Sequence, residues 1–232
     1  MSKNSKIKNK VKNMENKIAK NYAFIGLFGS GKTEVAINWA LKLKDEYEKV
    51  AIIDGDIISP YFRTRDVAED LEKMGLVTVY PKGALRNADL PIITGGAIGY
   101  LVNQEYKTVI DVGGEENGIV VLGYLKPYLG NAEISMVVNI ARPFSSTVDG
   151  IIKAYEQLRR VARIEVDYLI NNANLSYETT PELIKKGEEI VSKVSEIIEV
   201  PVKFTVVPEF LNVDDLKYPI FKIKRFMKME NY

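Results

Sequence analysis

Twelve residues, Tyr22–Thr33 (YAFIGLFGSGKT), restrict the fold more than any other stretch. The mostly apolar run Tyr22–Gly26 passes directly into Gly26-Leu-Phe-Gly-Ser-Gly-Lys-Thr33, and a helical pattern follows. This fills the template G-x-x-x-x-G-K-[ST] in the context that gives it meaning, a strand before and a helix after. Gly29 and Gly31 allow a tight turn in which successive N–H groups converge on phosphate oxygens. A helix starting near Gly31 aims its positive dipole end at the same anion. Lys32 is placed to reach β- and γ-phosphates, and the Thr33 hydroxyl to ligate Mg²⁺. The expected ligand contacts from this stretch are Phe28, Gly29, Ser30, Gly31, Lys32, Thr33 and Glu34. The pattern implies a nucleoside triphosphate as ligand.

The 232 residues suffice for one large domain with a substantial core. Residues 1–20 read as a basic N-terminal extension and 21–232 as the phosphate-loop domain. The 32 basic and 31 acidic residues nearly cancel, so bulk charge argues for no specific nucleic-acid partner. Cysteine and histidine are both absent, which excludes disulfides, iron–sulfur and zinc sites and histidine acid–base chemistry within one chain. No apolar run is long enough for a transmembrane segment, and the basic start lacks the apolar segment and cleavage site of a signal peptide. The expected compartment is the cytoplasm.

The extension holds seven lysines, with Ile7, Val11, Met14 and Ile18 at helical spacing. It reads either as an interfacial helix for anionic lipid or a partner, or as a solvated extension. Beyond the loop, strands and helices alternate. Val50–Asp54 reads as a buried parallel strand ending in Asp54-Gly-Asp56, with these carboxylates at the ligand edge, where one can hold Mg²⁺ or position water. Arg63 and Arg65 read equally as a phosphate clamp or a reach to a second subunit's nucleotide, or as surface arginines. The glycine- and proline-rich segment 81–100 reads as a substrate or switch segment, or as a turn before a helix ending near Gln104. Thr108–Gly114 (TVIDVGG) is the second firm motif: Asp111 ends a β-branched run, where it would hold Mg²⁺, and Gly114 would offer an N–H to the γ-phosphate. Further strands are expected over 134–140, 166–170 and 202–207. One helix should run to about Val161 after an N-cap at Ser145, Ser146 or Thr147, and another to about Ile198 after a cap and first turn at Thr179-Thr-Pro-Glu182. The expected fold class is α/β, a three-layer phosphate-loop NTPase fold whose mostly parallel sheet has about seven strands, with helices on both faces.

GLFGSGKT, the strand ending in Asp54-Gly-Asp56, the DVGG run and the strand ending in Asn171-Asn-Ala-Asn174 together resemble the CobQ/CobB/MinD/ParA nucleotide-binding superfamily over roughly Tyr22 to Glu209. The resemblance implies ATP with Mg²⁺. It makes Asp56 the water-orienting residue and Asp111 the Walker B aspartate, with Lys32 completing the catalytic set and Thr33, Asp54, Asp56 and Asp111 as the metal-facing group. It has Asn171 read adenine, helped by the backbone around Pro208 and Glu209. Two departures stand out. Leu27 occupies the position where ParA- and MinD-type members carry an extra lysine that reaches into a partner subunit's nucleotide, which bears on the homodimer the resemblance otherwise implies. Asn174 stands where guanine-binding relatives end in aspartate, and an amide is a poorer acceptor for two ring donors.

Two classes of function are consistent with these residues. One is a slow ATPase that switches or regulates a protein partner. The other is an ATP-dependent enzyme that activates a small carboxylate, as dethiobiotin- and cobyrinate-type relatives do, with Lys82, Arg86 or Arg142 as the basic wall. A regulator with little turnover cannot be separated from the first class. A metallochaperone role is disfavoured by the lack of cysteine and histidine.

Overall fold

The structure, a computed structural model, describes residues 18–55, 64–80, 95–114 and 116–227. Most of the N-terminal extension, Asp56, Arg63, Lys82, Arg86 and most of the glycine-rich segment lie outside the described residues.

The alternation read from the sequence closes into one sheet of eight parallel strands. In chain order these are β1 (Asn21–Ile25), β2 (Val50–Gly55), β3 (Val77–Val79), β4 (Lys107–Val112), β5 (Ala132–Val138), β6 (Tyr168–Asn171), β7 (Val202–Pro208) and β8 (Ile220–Ile223). They lie side by side in the order β3-β2-β4-β1-β5-β6-β7-β8. Helices connect them: α1 (Lys32–Glu46), α2 (Ala68–Lys73), α3 (Gly95–Val102), α4 (Glu116–Leu129), α5 (Val148–Ala162) and α6 (Pro181–Ile198).

Parallel strands covered on both faces read as continuous apolar runs, and β1 shows why. Alternate side chains enter opposite layers: Ala23 and Ile25 join a core with α3, α4, α5 and α6, while Tyr22 and Phe24 join one with α1 and α2. The second core centres on Trp39 of α1, stacked on Phe204 with centroids 5.6 Å apart and edge-on to Phe221 at 5.5 Å. The Lys203 ammonium lies 4.2 Å from the same ring and pairs with Glu133.

Strands β2, β3 and β4 lie on one side of β1 and β5 to β8 on the other. The chain therefore reverses its direction of winding at β1, and the crevice for a ligand opens beyond that strand's carboxyl end. Residues 26–31 occupy that position. Thr147 and Thr180 cap α5 and α6 through their hydroxyls, as their spacing suggests.

Two elements were not anticipated. Helix α4 carries Gly118, Gly123 and Pro127, which blur its apolar period. Strand β8 falls in the basic, aromatic tail, and it raises the expected strand count from about seven to eight. The expected helix at the end of the glycine-rich segment spans Gly95–Val102.

Replacing Trp39 by alanine should cost roughly 3–5 kcal/mol, because it empties the centre of the second core. Denaturant unfolding should show a lower midpoint at unchanged slope, and a loss under about 1 kcal/mol would show that the aromatic cluster is not a principal support of the fold.

Candidate functional site

The site begins where α1 begins. Gly31, at its N-terminus, has φ +81°, and no side chain caps the first turn. The leading N–H groups of a helix have no intrahelical acceptor, so an uncapped first turn is a ready anion site. A Cβ on Gly31 would lie 2.3 Å from the Asn172 amide nitrogen, so glycine is required here for space as well as for φ. Lys32 and Thr33 are both buried. The Ser30 hydroxyl is also buried and has no hydrogen-bond partner among the described residues. A phosphate oxygen would satisfy such a group.

Side chains from two strand ends brace the loop from outside. Asn172, just past β6, donates its amide to the Ser30 carbonyl at 2.7 Å. Asn139, just past β5, donates to the carbonyls of Gly29 at 3.4 Å and Asn174 at 3.0 Å, and accepts from the N–H of Asn174 and Ala141. Arg142 Nε donates to the Gly29 carbonyl at 3.0 Å. Leu27 packs against the α3–α6 core. Gly114, after β4, lies so close that a Cβ there would be 2.8 Å from the Phe28 nitrogen. The DVGG segment and the loop are therefore in contact, as a γ-phosphate sensor needs.

The acidic residues divide. Register places Asp54 of β2 beside Asp111 of β4, both buried. Asp54 Oδ2 is held by Arg65, whose Nε donates at 2.5 Å and whose backbone N–H donates at 3.2 Å. Asp54, expected to face a metal, forms a buried ion pair with Arg65 through this oxygen. The same pair buries Arg65, which is therefore not a surface arginine. Asp111 Oδ2 accepts from the Thr64 hydroxyl at 2.9 Å. Thr33 lines the cavity beside the loop, while Asp111 is fully buried at the end of β4. Among the described residues no group of three or more acids could hold a metal unaided. Mg²⁺ is commonly held by one or two protein oxygens together with water and substrate phosphates, and a hydroxyl plus a carboxylate fits that chemistry. Asp56 lies outside the described residues.

A cavity of about 550 Å³ opens from the loop toward the ends of β6, β7 and β8. Phe28, Gly29, Gly31, Lys32, Thr33 and Glu34 line its phosphate end, and Pro208 and Glu209 line the far end. Asn171 does not reach it. That side chain is fully buried; its amide donates to the Ile184 carbonyl at 3.1 Å and to Thr205 Oγ1 at 3.4 Å, and its oxygen accepts the Ala173 N–H at 3.3 Å. The expected base contact at Asn171 is corrected to a structural role: the last residue of β6 faces α6, and the next one faces the cavity. Asn172 and Asn174 line it instead, with Tyr177 and Phe210.

The remaining wall comes from residues far from the loop along the chain. The segment after β8 crosses the first turn of α1. Asn38 donates to the Lys224 carbonyl and accepts the Lys224 N–H, each at 2.8 Å. The Glu34 carboxylate, expected to contact ligand, accepts N–H from Phe226 at 3.0 Å and Met227 at 2.8 Å. Burial pushes this carboxyl upward, against those two hydrogen bonds and the nearby Arg225 charge, which favour the anion. The sequence signal was only the apolar–basic alternation of residues 220–227.

No protein-family model and no curated protein matches the chain. Solved structures do match. Cell division protein FtsY from Thermotoga maritima is 16% identical with a TM-score of 0.58, over 83% of this chain and 63% of that one. Chloroplast FtsY from Physcomitrella patens is 19% identical with a TM-score of 0.55, over 88% and 65%. The signal recognition particle 54 kDa protein from Aeropyrum pernix, in complex with GDP, is 16% identical with a TM-score of 0.52, over 88% and 46%. The chain thus spans less than two thirds of each neighbour's length. At these identities the likeness shows the fold, the α/β fold of the P-loop NTPases. No helix among the described residues is long and apolar enough to cross a membrane.

The two asparagines should separate experimentally. Asn172→Ala, which removes the brace on Ser30, should weaken Mg-nucleotide affinity about fivefold or more in calorimetric titration, with about 1 kcal/mol lost in stability. Asn171→Ala should lower stability by more than that and leave the affinity of the folded protein within twofold. The reverse pattern would return Asn171 to the ligand.

Proposed function

We propose that this chain binds a nucleoside triphosphate with Mg²⁺ and works as a slow hydrolytic switch or regulator of a protein partner. The observation that carries this reading is the uncapped first turn of α1, preceded by a braced glycine loop and opening on a cavity of about 550 Å³, within the range of ligand pockets. In this reading the loop N–H groups and Lys32 hold the phosphates, Thr33 and Asp111 hold the cation, and Gly114 senses the γ-phosphate. The metal would neutralise charge on the phosphates. The cation also gives the Asp111 region a reason to rearrange on hydrolysis, since Thr64 and the Asp54–Arg65 pair are bonded to it or beside it.

ATP is the nucleotide we favour, because Asn174 rather than a carboxylate stands near the base end. A second reading, GTP, draws on two observations: a neighbour of the same fold holds GDP, and the Glu209 carboxylate lies at the cavity's far end. A carboxylate there could accept two guanine ring donors. An acyl-phosphate enzyme is a weaker fit, since Arg142, its basic candidate among the described residues, is bonded to the loop backbone.

Calorimetric titration with MgATP and MgGTP tests this directly. Wild-type protein should bind one of them at least tenfold more tightly than the other, and Lys32→Ala should lose about a hundredfold or more of that affinity. Equal affinities in wild type and Lys32→Ala would remove the loop from the site. Preference for GTP would decide between the two bases and leave the site assignment standing.

A further inference from the structure

The segment after β8 is not needed to complete the sheet, yet it is tied to the phosphate-binding helix by an unusual set of contacts. Two of the ties come from Glu34 and Asn38, one turn apart on α1, and both end on backbone groups of residues 224–227. Between those ties Arg225 turns toward the cavity. Its Nε donates to the Met227 carbonyl at 2.9 Å, and Nη1 donates to the Ser176 hydroxyl. The guanidinium carbon lies 4.7 Å from the Tyr177 ring centroid. Tyr177 in turn meets Phe210 with centroids 6.0 Å apart. Both rings line the cavity and remain largely exposed, at 73% and 54%. Two large aromatic faces left in water beside a fixed guanidinium form a stacking platform, and bases stack on aromatic and arginine planes.

We propose, building on the nucleotide reading, that Lys224–Met227 is a strap that walls the base end of the cavity, and that Tyr177 and Arg225 with Phe210 grip the base by stacking. Strap and ligand are then linked: the nucleotide binds more tightly when the strap is docked, and by reciprocity it holds the strap in place. The three specificity-determining side chains come from the loop after β6, the loop after β7 and the segment after β8. The phosphates, at the other end, are held without them.

That separation defines the test. Wild type, Tyr177→Ala, Arg225→Ala and Glu34→Ala are titrated with Mg-nucleotide and with inorganic tripolyphosphate plus Mg²⁺. The first two variants should weaken nucleotide binding about tenfold and leave tripolyphosphate within twofold. Glu34→Ala, which frees the strap, should also weaken the nucleotide. Saturating nucleotide should slow tryptic cleavage after Lys224 and Arg225 in wild type severalfold, an effect tripolyphosphate should not reproduce. Unchanged nucleotide affinity in Tyr177→Ala and Arg225→Ala would overturn the proposal. So would equal weakening of tripolyphosphate, which would mean that the substitutions only loosen the loop. A wild-type protein that binds tripolyphosphate no worse than nucleotide would sink the strap and spare the phosphate site. One that binds neither would sink both.

Discussion

The structure depends on a helix that begins without a cap. The first turn of α1 has backbone N–H groups that no side chain satisfies, and the chain holds them at the point where the parallel sheet reverses its winding. A first turn without a side-chain cap aims its leading N–H groups and the positive end of the helix dipole at an anion. The surroundings agree. Lys32, Thr33 and the Ser30 hydroxyl, which has no hydrogen-bond partner among the described residues, are buried around the same turn.

Much of the remaining site keeps that turn in position. Asn139 and Asn172 end adjacent strands and hold the Gly29 and Ser30 carbonyls, while Gly114 lets the end of β4 press against the loop. On the opposite side Glu34 and Asn38 carry the strap. The loop is thus fixed by strand ends behind it and by the carboxyl-terminal segment across its helix. Arg65 and Thr64 occupy the two aspartates and tie them to the stretch that follows β2.

How much of this was legible follows from sequence distance and period. The strand–loop–helix unit was readable because all its determinants lie within a dozen consecutive residues. Strand β4 and its contact with the loop at Gly114 were readable because a β-branched run leading into Asp-Val-Gly-Gly marks a strand end. Asn171 was misassigned by one residue, and at a strand end one residue exchanges the two faces of the sheet. The Asp54–Arg65 pair was not legible because Arg65 lies 11 positions on, across a loop whose path the sequence does not reveal. The strap was invisible for a similar reason: Glu34 and Met227 are 193 residues apart, and β8 is a four-residue strand with a lysine among its apolar residues.

The most direct test of the central claim is amide hydrogen exchange, with and without Mg-nucleotide. Mapped onto the chain, protection on binding should concentrate at residues 29–35 and around Gly113 and Gly114, where a triphosphate would accept backbone N–H groups. Protection confined to other elements, or none at ligand concentrations that saturate the protein, would contradict the assignment of the uncapped helix turn as the phosphate site.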